Sequence, residues 1–226
     1  MPNRAADLHW DDPTGRPAAG GGLTRAAIVA TAVAMADAEG LEGVSIRRVA
    51  AQLDARPMSL YTHFASKDDL VELMANEAIA DLIVAEPLAG DWREALSQIA
   101  RRSHAAFVAH PWVLDAFGRR MLRGPNALRH AEQLLEAVAP LGLAPQEAWA
   151  LLGIVDDYAL GHALRIVQAR RGAPGGLPAV DETAYPRLAA ALAAGPRPRD
   201  EASFEAGLAA VLDGIERRLG ATPGRA

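Results

Sequence analysis

The side chains best suited to chemistry on a partner molecule lie close together in the segment ARPMSLYTHFASK, residues 55–67. Leu60 and Phe64 lie about one helical turn apart, so both are expected to point into the protein core. Four side chains then lie on the other side of the same helix: Met58, Ser59, Thr62 and His63. Hydroxyl, imidazole and thioether groups on one exposed face can contact the phosphates and base edges of a duplex.

Further side chains around this segment extend the same chemistry. Tyr61 offers a hydroxyl group to a phosphate and a ring to the methyl group of thymine. Arg47 is long enough to reach the edge of a guanine. Lys67, together with the free N–H groups that follow Ser66, can hold a phosphate at the start of a helix. The combination predicts a surface that contacts DNA.

The charge distribution indicates a local attraction to nucleic acid. The 226-residue chain has a net charge of −5 at pH 7, which by itself argues against a nucleic-acid partner. Residues 45–67, however, contain three arginines and the chain's single lysine against one acid, so this stretch carries +3 and the remainder −8. Phosphate attraction acts over about 10 Å, so a small basic footprint is sufficient. The alternative is chance clustering of charges on a solvated face.

Helix start and stop signals place the segment in a helix-turn-helix motif. Thr24 is a candidate N-cap for a first helix that ends at Gly40. Apolar residues at helical spacing predict a short second helix at 45–53. Pro57, which suits a first helical turn, opens a third helix at 57–64. In such a motif the second of the two short helices enters the major groove.

Composition indicates an all-α protein. Half of the residues are hydrophobic, aromatic residues make up only 5%, and strand-type runs of β-branched residues are missing. Ser66 and Asp69 predict a capping box for a fourth helix. Residues 1–22, rich in Gly, Pro and Asp, are expected to form a flexible arm and lack the apolar block of a signal peptide. Because the chain has no cysteine and no stretch of about 18 apolar residues, a cytoplasmic protein without disulfides or a membrane span is expected.

Residues 23–74, LTRAAIVATAVAMADAEGLEGVSIRRVAAQLDARPMSLYTHFASKDDLVELM, resemble the DNA-binding domain of the tetracycline-repressor (TetR) family. The resemblance implies that Ser45 and Lys67 clamp phosphates and that His63 contacts the adjoining backbone. It also implies that Arg47, Met58, Ser59, Tyr61 and Thr62 take positions where members meet bases or nearby backbone. Pro57 completes the candidate DNA-binding set.

The chain is expected to divide into a DNA-binding domain at 23–68 and a larger helical effector-binding and dimerisation domain at 69–226. In the second part, DDYALGHALRIVQA resembles the effector-binding half of the tetracycline repressors. The front domain departs from the family in Asp54, where members have glycine, and in the run 56–58. The bases recognised therefore do not carry over.

By the same resemblance, the second domain is expected to form a homodimer through helices around residues 146–170 and 201–219. Two apolar stripes fit that role, and Gly153, Ala159 and Gly161 allow close approach. The stripes consist of Ala148, Leu151, Leu152, Val155, Ala159, His162 and Ile166, and of Phe204, Leu208, Val211, Leu212, Ile215 and Leu219. A two-fold operator demands two reading heads about 34–36 Å apart. The alternative is that both stripes are core within one chain.

Mid-chain aromatic residues with two polar handles are the candidates for an effector pocket. The predicted lining is His104, Phe107, Trp112, Phe117, Met121, Trp149, Tyr158 and Arg165. The alternative for each is an ordinary core position, since large aromatic side chains are usually buried. No metal and no cofactor are expected, because His104, His110 and His130 include no pair at i, i+4 spacing and no nucleotide-binding motif is present.

Three functions stay open on this basis. The first is a DNA-binding transcriptional regulator, not an enzyme, namely a repressor that a small-molecule effector releases from a palindromic operator. The second is a small helical hydrolase that uses Asp156 and Asp157, although adjacent helical residues point about 100° apart, which is poor for shared acid–base work. The third is a helical adaptor that binds a partner protein through its stripes.

Overall fold

The computed structural model of the chain describes residue 10 and residues 23–85, 87–88, 90–117, 124–172, 180–195 and 199–220. Every regular element in these ranges is helical, as the composition predicts. In chain order the α-helices are α1 (Arg25–Glu39), α2 (Ile46–Gln52), α3 (Pro57–Leu60), α4 (Lys67–Ala80), α5 (Trp92–Ala109), α6 (Pro111–Phe117), α7 (Pro125–Val138), α8 (Pro145–Arg170), α9 (Pro186–Ala193) and α10 (Glu201–Gly220).

The first two helices begin and end where their capping residues predict. The Thr24 hydroxyl oxygen accepts a hydrogen bond from the N–H of Ala27 at 3.1 Å at the start of α1. Gly40 ends that helix with φ of 77°, a backbone conformation that suits glycine. The Ser45 hydroxyl oxygen accepts from the N–H of Arg48 at 3.3 Å at the start of α2.

The third helix is shorter than the predicted span of 57–64. Pro57 does occupy its first turn, but α3 ends at Leu60. Beyond Leu60 the chain forms a tighter turn, in which the N–H of His63 donates to the Leu60 carbonyl oxygen, three residues earlier, at 2.9 Å. The Thr62 hydroxyl also donates to the Ser59 carbonyl oxygen at 2.7 Å, which draws that acceptor away from a continuing α-helix.

The turn before α3 and the start of α4 each depend on an aspartate. Asp54 takes a left-handed conformation, with φ of 49°, at the position where family members have glycine. At α4 the predicted capping box forms only in part. The Ser66 hydroxyl oxygen accepts from the N–H of Asp69 at 3.2 Å, but the Asp69 carboxylate accepts from the N–H of Ala65 and not from that of Ser66.

Two groups of buried apolar side chains form the core. The first joins α1, α2 and α3 to α4 and extends to Phe107 on α5 and Trp112 on α6. The second lies between α5, α7, α8 and α10. α4 crosses the predicted domain boundary at residue 68 and contributes Leu70 and Met74 to the first core. The helices of the predicted DNA-binding domain therefore share buried surface with the larger helical part.

The two stripes expected at a dimer interface are mostly buried within one chain, so the alternative reading is correct for them. The buried members are Ala148, Leu151, Leu152, Val155, Ala159 and His162 on α8 and Phe204, Leu208, Leu212 and Ile215 on α10. The opposite face of α8 leaves Trp149, Ile154 and Leu164 exposed. Periodicity locates an apolar stripe but does not identify the surface that covers it.

One residue of the segment predicted as a flexible arm packs against the first core. Trp10 lies beside Gly124, where a Cβ atom would stand 2.9 Å from the indole and 2.4 Å from Oδ1 of Asn76. The other residues of 1–22 lie outside the described part of the chain. Across the described residues, no helix by itself has the length and apolar character to span a membrane, although the bent pair Pro125–Leu141 and Pro145–Arg170 meets both criteria jointly.

Candidate nucleic-acid interface and effector region

The outer face of α3 and the turn after it present the predicted DNA-binding side chains to solvent. Leu60 and Phe64 point into the core, as their spacing predicts. Met58 is 74% exposed and Tyr61 44% exposed. Pro57, Ser59 and Thr62 are exposed as well, while His63 is partly buried.

Contacts behind the face hold the turn in place. Two guanidinium nitrogens of Arg25, on α1, donate to the His63 carbonyl oxygen at 3.1 and 2.7 Å. The rings of Tyr61 and Phe64 are 6.2 Å apart at 58°, so the buried ring supports the exposed one. Because the Thr62 hydroxyl donates inward, its oxygen is available to accept a hydrogen bond from a base. The Ser45 hydroxyl, by contrast, accepts from the Arg48 N–H, so its own proton remains available for donation.

One of the four cations counted in the basic footprint is engaged within the protein. Arg48 binds both carboxylate oxygens of Glu39 at 2.6 and 2.7 Å and the Gly43 carbonyl oxygen at 2.6 Å. The hydrogen bond from Arg48 lowers the pKa of Glu39. Sequence counting over 45–67 missed this pair because Glu39 lies outside that window. The cations left for DNA are fewer than predicted.

The predicted phosphate position at the start of α4 is more acidic than its lysine suggests. Lys67 is exposed, but Asp68 and Asp69 stand in the same first turn. The Asp69 N–H donates to Ser66, so one of the backbone donors expected to hold a phosphate is occupied. Carboxylates at a helix start are stabilising but repel an anion. Lys67 is therefore the side chain at this point that best suits the predicted phosphate contact.

Two of the predicted effector residues lie in a ring cluster where α5, α8 and α10 meet. His104 stacks on Phe204 with ring centroids 4.1 Å apart, and Tyr158 stacks on the same ring at 5.5 Å. Nε2 of His104 lies 3.0 Å from Nδ1 of His162, and the Tyr158 hydroxyl donates to the Phe204 carbonyl oxygen at 2.8 Å. Burial, with a smaller effect of His162, lowers the pKa of His104 to about 4. The hydrogen bonds and ring contacts of this cluster therefore join α5, α8 and α10.

Phe107 and Trp112 belong to the other core, beside the DNA-binding helices. Trp112 is fully buried, and its Nε1–H donates to Oδ1 of Asp37 at 2.7 Å. This indole therefore ties α6 to α1. Trp112 belongs to the first core, whereas the ring cluster around Phe204 belongs to the second.

The structure does not gather the eight predicted effector residues into one cavity. Trp149 is 61% exposed and Arg165 is exposed, because both lie on outward-facing sides of α8. The side chain of Phe117 and all of Met121 lie outside the described residues. Aromatic composition alone did not distinguish core, surface and pocket positions.

Three polar groups lie on helices that pack against one another: Ser103 on α5, which sequence reasoning missed, His130 on α7 and Asp156 on α8. The Ser103 hydroxyl is fully buried, and it and Nδ1 of His130 have no hydrogen-bond partner in the described part of the chain. Burial raises the pKa of Asp156 to about 6, with a smaller effect of Asp157. Buried polar groups are nearly always paired, so unpaired ones mark places where a ligand or water completes the bonding.

The described residues do not group three histidine or acidic side chains at metal-binding range. The carboxylates of Asp156 and Asp157 also differ in surroundings. Asp156 is partly buried, whereas Asp157, about 100° further round α8, is exposed.

Two family models match the chain. The model of the bacterial regulatory proteins of the tetR family matches residues 28–74, and the tetracyclin repressor-like C-terminal domain matches residues 85–219. The chain belongs to the TetR family. Both models describe regulators of transcription, and the first covers the helix-turn-helix described above.

Curated relatives of this TetR-family chain include regulators from Streptomyces, Saccharopolyspora and Mycobacterium. The HTH-type transcriptional repressor DrrR1 of Streptomyces coeruleorubidus is 39% identical over 71% of the chain and 60% of its own length. An HTH-type transcriptional regulator of Saccharopolyspora erythraea is 30% identical over 62% and 59%. The chain thus spans about three fifths of these two proteins. The HTH-type transcriptional repressor Rv1353c of Mycobacterium tuberculosis is 29% identical over 85% and 80%.

Solved TetR-family structures match over nearly their whole length. A possible TetR family transcriptional regulator from Streptomyces coelicolor is 33% identical with a TM-score of 0.70, covering 85% of this chain and 98% of that one. The S. coelicolor protein ActR in complex with actinorhodin is 26% identical with a TM-score of 0.74, covering 88% and 99%. A second ActR structure holds (S)-DNPA.

Proposed function

We propose that this TetR-family chain is a transcriptional repressor that binds a palindromic operator as a homodimer and is released by a small-molecule effector. The observation that carries the proposal is the exposed face of α3 and its turn, with Met58 and Tyr61 outward over buried Leu60 and Phe64. Repressor names among the relatives support the direction of regulation. Operator binding places the protein in the cytoplasm.

The proposed DNA-binding set keeps every residue of the sequence prediction. Its members are Ser45, Arg47, Pro57, Met58, Ser59, Tyr61, Thr62, His63 and Lys67. Ser45 and Lys67 bind phosphates, since one has a hydroxyl proton to donate and the other an exposed ammonium group. Arg47 reads a guanine edge, and the α3 face packs into the major groove.

The proposed homodimer forms through the outer face of α8 together with α10. Trp149, Ile154 and Leu164 leave apolar surface exposed on that face. Gly153 and Gly161 lie on the same helix, and a Cβ atom at either would meet nothing within 4 Å. Because these two positions carry no side chain, a second copy can approach the helix closely there. The pairing supplies the two reading heads that a palindromic operator requires.

The proposed effector site lies between α5, α7 and α8, within the helical domain predicted at 69–226. The unpaired groups of Ser103 and His130 and the carboxyl group of Asp156 support this position. Small molecules bound to the related ActR support effector binding as such. The unpaired groups favour an effector with hydrogen-bonding substituents on an apolar body.

The proposed switch runs through α4, which packs against both α1 and α7. Asn76 on α4 binds α7 directly, since its Oδ1 accepts from the N–H of Asn126 at 3.0 Å. An effector that shifts α7 therefore also shifts α4, and with α4 the helix-turn-helix that packs against it. Couplings of this kind are typically about 1–3 kcal/mol, or about 5–150-fold in affinity.

The test is binding of the purified protein to labelled duplexes tiled across the DNA beside its own gene, followed by fluorescence anisotropy. One duplex should bind far more tightly than the others, and Tyr61→Ala should weaken that binding without changing the helical content of the protein. Lys67→Ala should weaken binding to all sequences and lower the salt slope by about one. A protein that stays monomeric and ignores every duplex in dilute buffer would contradict the proposal.

The effector is sought by a thermal-shift screen of small molecules, with each stabilising compound then added to the protein–operator complex. Release of the operator is expected, because the compound binds one conformation more tightly than the other. Ser103→Ala should weaken compound binding while leaving operator affinity unchanged. If saturating compound left operator affinity unchanged, DNA binding would stand and the switch would be wrong.

A further inference from the structure

The cations of the front helices fall into two groups. Arg25 and Arg48 are engaged inside the protein, the first with the His63 carbonyl oxygen and the second with Glu39. Arg47, Arg56 and Lys67 are exposed, and their side chains form no hydrogen bond or ion pair with any residue in the described ranges. The first group supports the fold, and the second is available to a partner.

Arg56 stands directly before α3, at the leading end of the helix that presents the DNA-binding face. Its backbone is extended, with φ of −81° and ψ of 139°, and its carbonyl oxygen accepts from the N–H of Ser59 at 2.9 Å. Its side chain caps nothing. The next residues on the chain, Pro57 and Met58, are exposed on the same face.

A nearby acid does not neutralise Arg56. Asp54, two residues earlier, is exposed and forms no ion pair with it. The left-handed backbone at Asp54 makes the sharp turn between α2 and α3. A long, unpaired guanidinium group therefore projects from the turn beside the exposed face of α3.

In helix-turn-helix proteins the first residues of the second helix contact base edges. Arginine is the side chain most often used there, since its planar fork binds O6 and N7 of guanine together. We propose that Arg56 is a second base-reading arginine, which sets a preference for guanine at one position of each operator half-site. The inference rests on the operator binding proposed above and names a specificity residue within it.

Placement favours a base contact for Arg56 over a phosphate contact. Lys67 follows the turn after α3 and begins α4, where it flanks the reading face. Arg56 instead leads into α3 close to Met58, whose side chain is exposed on the reading face. A residue at the N-terminal end of the helix in the major groove meets the base edges, whereas a residue that flanks this helix meets the DNA phosphates.

The experiment compares wild type, Arg56→Ala, Arg56→Lys and Lys67→Ala on the operator and on duplexes substituted one base pair at a time. Wild type should lose about 10- to 100-fold in affinity at one G·C position per half-site. Arg56→Ala should bind all four bases there almost equally and keep the other preferences. Arg56→Lys should keep the salt slope but lose most of the discrimination, because an ammonium group cannot bind both guanine acceptors at once.

Lys67→Ala serves as the matched control, since it should weaken all duplexes equally. If Arg56→Ala behaved like Lys67→Ala, with uniform loss and a smaller salt slope, Arg56 would be a phosphate contact and the inference would be wrong. Unchanged affinity and specificity would also overturn it. If wild type bound no duplex specifically, the operator-binding proposal itself would fail. Circular dichroism and Arg56→Gln exclude misfolding as the cause of any loss.

Discussion

Nδ1 of His110 lies 2.7 Å from Oδ1 of Asp37, which joins the corner between α5 and α6 to the last turn of α1. Nε2 of the same ring lies 3.1 Å from Oδ2 of Asp81, at the end of α4. Trp112 donates to the same oxygen of Asp37. With a carboxylate at each nitrogen, the protonated ring donates twice. His110, at the corner between α5 and α6, thus connects the larger helical part to α1 and to the end of α4.

The first prediction concerns pH and this histidine. Burial is the largest influence and lowers the pKa of His110, but hydrogen bonds to Asp37 and Asp81 outweigh it, so the pKa is raised. Unfolded histidine titrates near 6.5, so the stabilisation is complete below about pH 6.5 and is lost as pH rises through the folded pKa.

Urea unfolding at several pH values measures this effect as a difference between wild type and His110→Asn. The advantage of wild type in unfolding free energy should shrink as pH rises from about 6.5, because the variant carries no titrating ring. Titrations elsewhere in the protein cancel in the difference. Parallel pH profiles for the two proteins would show that the ring charge adds nothing to stability.

The second prediction is that Arg25 positions the reading face without touching DNA. Arg25→Ala removes both hydrogen bonds to the His63 carbonyl oxygen, so the turn after α3 loses its anchor on α1. Operator affinity should fall by about tenfold, with the base preferences unchanged, since hydrogen bonds to charged groups contribute about 1.5–3 kcal/mol. Arg187→Ala, at an exposed position of α9, is the control and should leave affinity as it was. A drop in the salt slope of Arg25→Ala would instead indicate a direct phosphate contact.

Local signals in the sequence predicted the front domain well. Thr24, Ser45 and Pro57 each fixed a helix start through one nearby bond or one ring constraint, so their neighbours on the chain were sufficient. The spacing of Leu60 and Phe64 fixed which side of α3 faces outward. The end of α3 was wrong by four residues, because it depends on competing bonds around Thr62 that propensity does not register.

Distant contacts decided what the sequence could not. The charge count over residues 45–67 includes Arg48 as a free cation, but in the fold its guanidinium group pairs with Glu39. Trp149 and Trp112 looked alike as pocket candidates, yet one lies on the surface and the other in the core. Ser103 gave almost no signal, since an unpaired buried hydroxyl is recognisable only once its surroundings are known.

The third prediction tests the proposed dimer surface. Ile154 on α8 is 45% exposed in the single chain, and a carboxylate there would be buried without a partner if α8 packs against a second copy. Ile154→Glu should therefore shift the protein from dimer to monomer in light scattering and weaken operator binding. Leu128→Glu, on the exposed side of α7, is the matched control and should stay dimeric. If Ile154→Glu remained a dimer, the interface would lie elsewhere.

The fourth prediction concerns a glycine that the ring cluster requires. A Cβ atom at Gly207 on α10 would lie 2.1 Å from the Tyr158 hydroxyl oxygen and 2.7 Å from Cζ. Gly207→Ala should push Tyr158 off Phe204 and lower the free energy of unfolding by about 1–3 kcal/mol. Gly214, on the same helix, has nothing within 4 Å of its Cβ position. Gly214→Ala should instead raise stability by about 0.5–1 kcal/mol, because alanine favours a helix.

A double-mutant cycle assigns the cost of Gly207→Ala to that contact. In a Tyr158→Ala background the atoms that the new Cβ would meet are gone, so the loss caused by Gly207→Ala should largely disappear. Urea unfolding of the four proteins gives the coupling. Equal losses in both backgrounds would place the strain in the backbone of α10. A large coupling would instead identify the Tyr158 ring as the reason that α10 carries glycine at this position.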